Sequence, residues 1–216
     1  QSCNLRLYSP NKCEALKNAP MSDYTSFKIG GPADIILMPD NAEIMRKIIV
    51  FCNNEEIKPF ILGNGSNLLV SDEGIKGVVI YTGKLTSVKL TGDLTINCDA
   101  GVSLSRLCNF ALENSLTGLE FAFGIPGSAG GAAYMNAGAY GGEMKDVIVS
   151  CTHITPQGKI ENVKASSLGF GYRKSVYSDN GCVIISIDVS LMLGCKQKIK
   201  SEMVDIIEKR RSKQPL

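Results

Sequence analysis

Between residues 42 and 57 apolar side chains return at intervals of three and four, placing Ile44, Ile48, Ile49 and Cys52 on one face. Pro39-Asp40-Asn41 stands before them as a start signal, so the spacing predicts a capped helix over 42–57. The period then shortens. Apolar runs at 60–62, 68–70 and 78–81, broken by turn residues, read as strands, as does TINCDA at 95–100. Ser103 opens a second helix reaching Asn114, with Leu104, Leu107, Cys108, Ala111 and Leu112 as its buried stripe. VIVSCTHITPQGKIENV reads as a hairpin turning at Pro156-Gln157-Gly158, and CVIISIDVSLML as a further β-run. From 197 to 213 the pattern is helical again, with Ile199, Met203, Ile206 and Ile207 inward and a stop at Gln214-Pro215. Strands and helices mix without strict alternation, which predicts an α+β fold.

Two stretches carry too little side chain to be ordinary core. GNGSN at 63–67 places glycines at alternate positions just after a strand, where backbone N–H groups can cradle an anion. It is neither a P-loop nor G-x-G-x-x-G, and a simple tight turn is the alternative reading. FGIPGSAGGAAYMNAGAYGGEM at 123–144 holds seven glycines and five alanines in twenty-two residues, with no charge before Glu143. Gly127-Ser128-Ala129-Gly130-Gly131 leads into 132–137 like a loop feeding a helix N-terminus, where phosphate is favoured. Ser128 and Asn136 are the few hydrogen-bonding side chains along it. Close packing of a helix would also select such residues, but a second phosphate-like turn in the same chain favours a dinucleotide.

The remaining features narrow the choice. The 216 residues are 44% hydrophobic and 20% charged, enough to bury a core. A net charge of +2, from 23 basic and 21 acidic residues, gives no field directed at nucleic acid or an anionic membrane. No apolar run approaches a membrane span, and QSCNLRLYSPN lacks the apolar core of a secretion signal, so a cytoplasmic protein is expected. The eight cysteines (Cys3, Cys13, Cys52, Cys98, Cys108, Cys151, Cys182, Cys195) are scattered without a C-x-x-C pair, which predicts reduced, mostly buried thiols and no metal site. His153, the sole histidine, reads as a surface strand residue and argues against a Ser/His triad.

TSFKIGGPAD (25–34), LGNGSNLLVSD (62–72), GLEFAFGIPGSAGGAAYMNAGAYGGEM (118–144) and FGYRKS (170–175), in this order, closely resemble the UDP-N-acetylenolpyruvoylglucosamine reductases, also called UDP-N-acetylmuramate dehydrogenases. The resemblance implies an FAD-binding fold of the vanillyl-alcohol-oxidase type, two α+β subdomains with FAD between them. It places Gly63, Asn64, Gly65, Ser66 and Asn67 around the FAD pyrophosphate. Ile125, Pro126, Gly127, Ser128, Gly130 and Gly131 would line the flavin and its diphosphate, with Asn136 nearby. It further implies NADPH as reductant and UDP-N-acetylglucosamine enolpyruvate as substrate, in the synthesis of peptidoglycan precursors by a monomer. Arg173 matches the family arginine that holds the substrate carboxylate and stabilises the enolate-like species; by itself it reads as a surface arginine at a strand end. Tyr172 is expected to wall the pocket.

The expected organisation is an extension at 1–24, FAD-binding subdomains at 25–84 and 85–196, and a helix at 197–216 leading to a C-terminal domain. In the family that domain supplies a proton-donating serine and a glutamate, and the chain ends at RRSKQPL before it. The alternative is a non-catalytic module that binds FAD or a nucleotide sugar; an oxidase with covalently attached flavin is disfavoured, since neither glycine-rich segment has a histidine or cysteine.

Overall fold

Asn41 starts the first helix as its position predicts, its Oδ1 accepting the Ile44 N–H at 2.9 Å. The computed structural model describes residues 13–213. Cys3, the stop at Gln214-Pro215 and the first half of the expected 1–24 extension lie outside the described residues.

The first sheet contains β1 (Cys13–Pro20), β2 (Pro32–Pro39), β3 (Phe60–Leu62) and β4 (Ile75–Tyr81), with α1 (Ala42–Asn54) between β2 and β3. Its order is β1-β2-β4-β3, antiparallel at β1 and parallel elsewhere. Residues 13–20, expected before the first subdomain, are thus its edge strand. α1 ends three residues before the expected Ile57, because Glu56 turns left-handed (φ 55) and the N–H groups of Glu56 and Ile57 fold back onto Asn53 O and Cys52 O. The run 68–70 is not a strand: Val70 packs into the core, Leu69 is exposed, and at Ser71 the chain meets the loop before β2 through Gly31 N–H to Ser71 O (2.8 Å).

After the first sheet come β5 (Val88–Leu90), β6 (Thr95–Asp99), α2 (Leu104–Glu113), β7 (Leu116–Thr117), α3 (Ala129–Tyr134), β8 (Gly138–Ala139) and β9 (Gly142–Glu143). They are followed by β10 (Ile148–Ile154), β11 (Ile160–Lys164), β12 (Val183–Ser190), β13 (Met192–Leu193) and α4 (Lys196–Lys213). The second sheet is antiparallel throughout, in the order β11-β10-β12-β6-β5, while β7 pairs with β13 and β8 with β9. The hairpin between β10 and β11 turns where Pro156-Gln157-Gly158 predicts, with Gly158 at φ +85. α2 carries Leu104, Leu107, Cys108 and Ala111 into the core.

One apolar cluster joins the two sheets. Leu37 and Ile80 of the first, with Ile48 of α1, meet Ile154, Val183 and Ile185 of the second, each side chain of this size contributing about 1.5–3 kcal/mol when buried. His153 departs from expectation. It is 5% exposed, because β10 is an interior strand whose inward face covers Tyr177; Nδ1 lies 3.0 Å from the Tyr177 hydroxyl.

Burial pushes the thiols of Cys98, Cys108 and Cys151 up to about 12. Cys195, exposed at the start of α4, is instead held below the ordinary thiol value by the N–H groups of Lys198 and Gln197. Because the thiolate is the nucleophile, iodoacetamide at neutral pH is expected to alkylate Cys195 in the folded protein and to spare these three until denaturant is added. Peptide mapping by mass spectrometry checks this, and even labelling of all four in the native state would contradict it.

Candidate functional site

GNGSN follows β3 and turns across the open end of the first sheet. Gly65 makes the turn possible: it sits at φ +60, and a Cβ there would collide with the carbonyl oxygen of Tyr24, while Ser26, two residues on, donates its N–H to Gly65 O at 3.1 Å. The backbone N–H groups of Asn64, Gly65, Ser66 and Asn67 have no acceptor among the described residues, although Gly65 is buried. Asn64 and Asn67 are exposed, where water can serve an N–H, but Gly65 is buried, and a buried N–H is nearly always paired, so at that position the turn has room for an acceptor from outside the chain.

The second glycine-rich segment works differently from its sequence reading. α3 spans 129–134, earlier and shorter than the expected 132–137, with Ser128 as its cap. Its leading donors are already used: Ala129 N–H goes to Val102 O (2.8 Å), Gly130 N–H to Ala100 O (2.9 Å) and Gly131 N–H to Ser128 Oγ (3.3 Å). The first turn of α3 therefore offers bare surface rather than free donors, apart from the N–H of its buried cap Ser128, which like those of 64–67 meets no acceptor among the described residues. Gly130 is required by packing as well, since a Cβ would come 2.7 Å from the Ala100 methyl.

The two segments face each other. A Cβ on Gly63 would strike Ser128 Oγ, and between them runs a cleft of about 1200 Å³. That exceeds the roughly 300–1,000 Å³ of a usual small-molecule pocket and suits a ligand of dinucleotide size. Gly63, Asn64, Gly65, Ser66, Asn67, Ile125, Pro126, Gly127, Ser128, Gly130, Gly131 and Arg173 all line it. Asn136 does not: it is 3% exposed behind the wall, its Nδ2 donating to Glu143 Oε2 and Gly171 O and its Oδ1 accepting from Lys145 N–H. Hydrogen bonds from Lys145 and Asn136 hold the Glu143 carboxyl below its ordinary range. Tyr172 is 90% exposed and outside the cleft, so it is not the expected wall.

Arg173 reaches the cleft from a tight turn closed by Gly171 N–H to Lys174 O (2.9 Å). It holds the left-handed conformation (φ 55), which costs an L-residue about 1–2 kcal/mol, and its Nη2 donates to Asn67 Oδ1 at 3.1 Å. The sequence reading missed Arg210, which α4 brings to the same cleft with its guanidinium carbon 5.8 Å from the Tyr140 ring centre. The signal was present: Arg210 continues the inward stripe Ile199, Met203, Ile206. Among the described residues no group of His, Cys, Asp and Glu could hold a metal ion, and no helix is long and apolar enough to cross a membrane.

Residues 33–164 match the FAD binding domain family. The chain is 47% identical over 206 residues to UDP-N-acetylenolpyruvoylglucosamine reductase of Clostridium novyi (strain NT), a match covering 95% of this chain and 67% of that protein. The chain belongs to the UDP-N-acetylenolpyruvoylglucosamine reductase family. The crystal structure of the Thermus caldophilus reductase superposes with a TM-score of 0.80 at 32% identity, over 95% of this chain and 71% of that one. Chitooligosaccharide oxidase, at 16% identity, shares the fold with a TM-score of 0.66 over 83% of this chain and 41% of its own. The fold is thus the FAD-binding α+β fold of the vanillyl-alcohol-oxidase type. The chain spans about two thirds of the length of the curated relatives it matches. The free donors of 64–67, the bare surface at 125–131 and the size of the cleft fit FAD, the group the family implies.

Proposed function

We propose that this chain is the FAD-binding part of a reductase that converts UDP-N-acetylglucosamine enolpyruvate to UDP-N-acetylmuramate with NADPH as reductant, a step in building peptidoglycan precursors. One observation carries the reading: the unpaired N–H groups of 64–67, the bare segment 125–131 and Arg173 line a single cleft. The turn Asn64–Asn67 would hold the FAD pyrophosphate, with four N–H donors that meet no acceptor among the described residues. Gly127, Ser128, Gly130 and Gly131 would let the ring system lie against main chain. FAD, when bound, supplies the carrier that takes a hydride from NADPH and gives it to the enolpyruvyl group.

The task of Arg173 is electrostatic. As hydride arrives at the vinyl carbon, negative charge grows on the carboxyl-bearing fragment, and a fixed planar guanidinium with paired donors meets a carboxylate in matching geometry. Asn67 Oδ1 occupies one of those donors at 3.1 Å and is readily exchanged for a carboxylate oxygen of greater charge. The same contact ties the cradle to the arginine.

The test is a visible absorption spectrum taken after the protein is mixed with FAD and desalted, followed by anaerobic NADPH. A retained flavin band that bleaches supports the reading. A colourless protein overturns it, and a retained band that NADPH leaves unchanged makes the chain a binding module instead.

A further inference from the structure

Behind the cleft wall, α3 does more than present small residues. Its C-terminal end grips the turn that displays Arg173 at two points: Asn136 Nδ2 donates to Gly171 O at 3.0 Å, and Ser175 Oγ donates to Tyr134 O at 2.7 Å. Gly171 and Ser175 flank the arginine on either side, so the turn is pinned before and after it. Both pinning side chains are buried, Asn136 at 3% exposure and Ser175 at 0%. Asn136 is itself fixed, its Oδ1 by Lys145 N–H at 2.9 Å and its Nδ2 by Glu143 Oε2 at 2.9 Å. Arg173 holds a backbone conformation that L-residues avoid, and such a conformation persists only where the surroundings impose it.

We propose that Asn136 is a positioning residue, which with Ser175 holds the Arg173 turn in its left-handed form and so aims the guanidinium at the substrate carboxylate, rather than touching the cofactor. The inference rests on the role given to Arg173 above. The other face of α3 lines the cleft through Gly130 and Gly131. One short helix therefore sets both the surface for the ring system and the placement of the cation, fixing the distance between them.

Asn136→Asp isolates the claim. An aspartate still accepts the Lys145 N–H but presents an oxygen to both Gly171 O and the Glu143 carboxylate, so the pin and the Glu143 contact break while the Lys145 anchor remains. The measurement is the affinity of the FAD-loaded protein for UDP-N-acetylglucosamine enolpyruvate and for UDP-N-acetylglucosamine, which lacks the carboxylate, followed through the flavin absorbance. Arg173→Ala and the Asn136→Asp/Arg173→Ala double variant are run beside it.

The expected result is a loss of about tenfold or more in the preference for the carboxylate-bearing ligand, since a misplacement of about 1 Å can cost up to 10²-fold. UDP-N-acetylglucosamine and FAD affinities stay near those of the unsubstituted protein, and Asn136→Asp adds nothing once Arg173 is gone. A purely structural residue would weaken both ligands alike. Asn136→Asp with an undiminished preference overturns the inference, as does an equal loss for both ligands. If Asn136→Asp fails to fold, Ser175→Ala, which removes the second pin alone, decides by the same criteria. Absence of any preference in the unsubstituted protein, or its survival in Arg173→Ala, overturns the role of Arg173 itself and the inference with it.

Discussion

Arg173→Ala is expected to slow the half-reaction with the enolpyruvyl substrate by about 10²–10³-fold, the usual cost of removing one preorganised group from developing negative charge. The half-reaction with NADPH should stay within about twofold, because no carboxylate charge grows during it. Separation of the two rates by stopped-flow absorbance on the whole protein reads both numbers. Arg173→Lys should recover only part of the loss, since an ammonium restores charge without the paired, planar donors. Equal slowing of both half-reactions would remove the arginine from the chemistry and leave it as a support for the Asn67 contact.

Gly65→Ala should abolish stable retention of FAD. The added methyl group meets the Tyr24 carbonyl oxygen, part of the backbone and unable to swing aside, and it does so at φ +60. Overpacking of about 1–3 kcal/mol and a left-handed penalty of about 1–2 kcal/mol, where the turn must be restored for the cofactor to bind, together correspond to a loss of roughly 30-fold to a few thousand-fold in cofactor affinity. Gly77→Ala is the control: φ is +89 there as well, but nothing lies within 4 Å of the new methyl group, so only the backbone penalty applies and the flavin should remain. Desalting after FAD loading separates the two variants, and retention by Gly65→Ala would show that the turn can be rebuilt without its glycine.

What the sequence could and could not disclose follows from the range of the forces involved. Asn41 and Ser103 cap helices where local composition says they must, because a cap involves only the next three residues. The turn at Gly158 was legible for the same reason. His153 was misjudged because exposure on a strand depends on which strands flank it, and β11 and β12 come from later chain. The donors at the start of α3 looked free in sequence; Ala100 and Val102, which accept two of them, lie about thirty residues upstream in a turn that no local pattern connects to the helix. Asn136 was rightly singled out as a polar side chain in a bare segment, yet its partners Gly171, Glu143 and Lys145 belong to the tertiary arrangement. The family resemblance drew the site together before any geometry was known; it set Asn136 near the flavin, and the packing adds that its side chain turns to Gly171, Glu143 and Lys145 and not into the cleft that Met135 and Ala137 line.

The apolar cluster shared by Leu37, Ile48 and Ile80 with Ile154, Val183 and Ile185 bears on how the protein is made. More than seventy residues separate Ile80 from Ile154, and synthesis delivers about 5–20 residues per second. For several seconds, therefore, the newly made first sheet waits on the ribosome with its underside open to water. The cofactor cannot rescue this interval, because the wall formed by 125–131 does not yet exist either. A flavin held between 64–67 and 125–131 would thus be captured only once the second segment has emerged, and until then the nascent first sheet depends on chaperones or on speed.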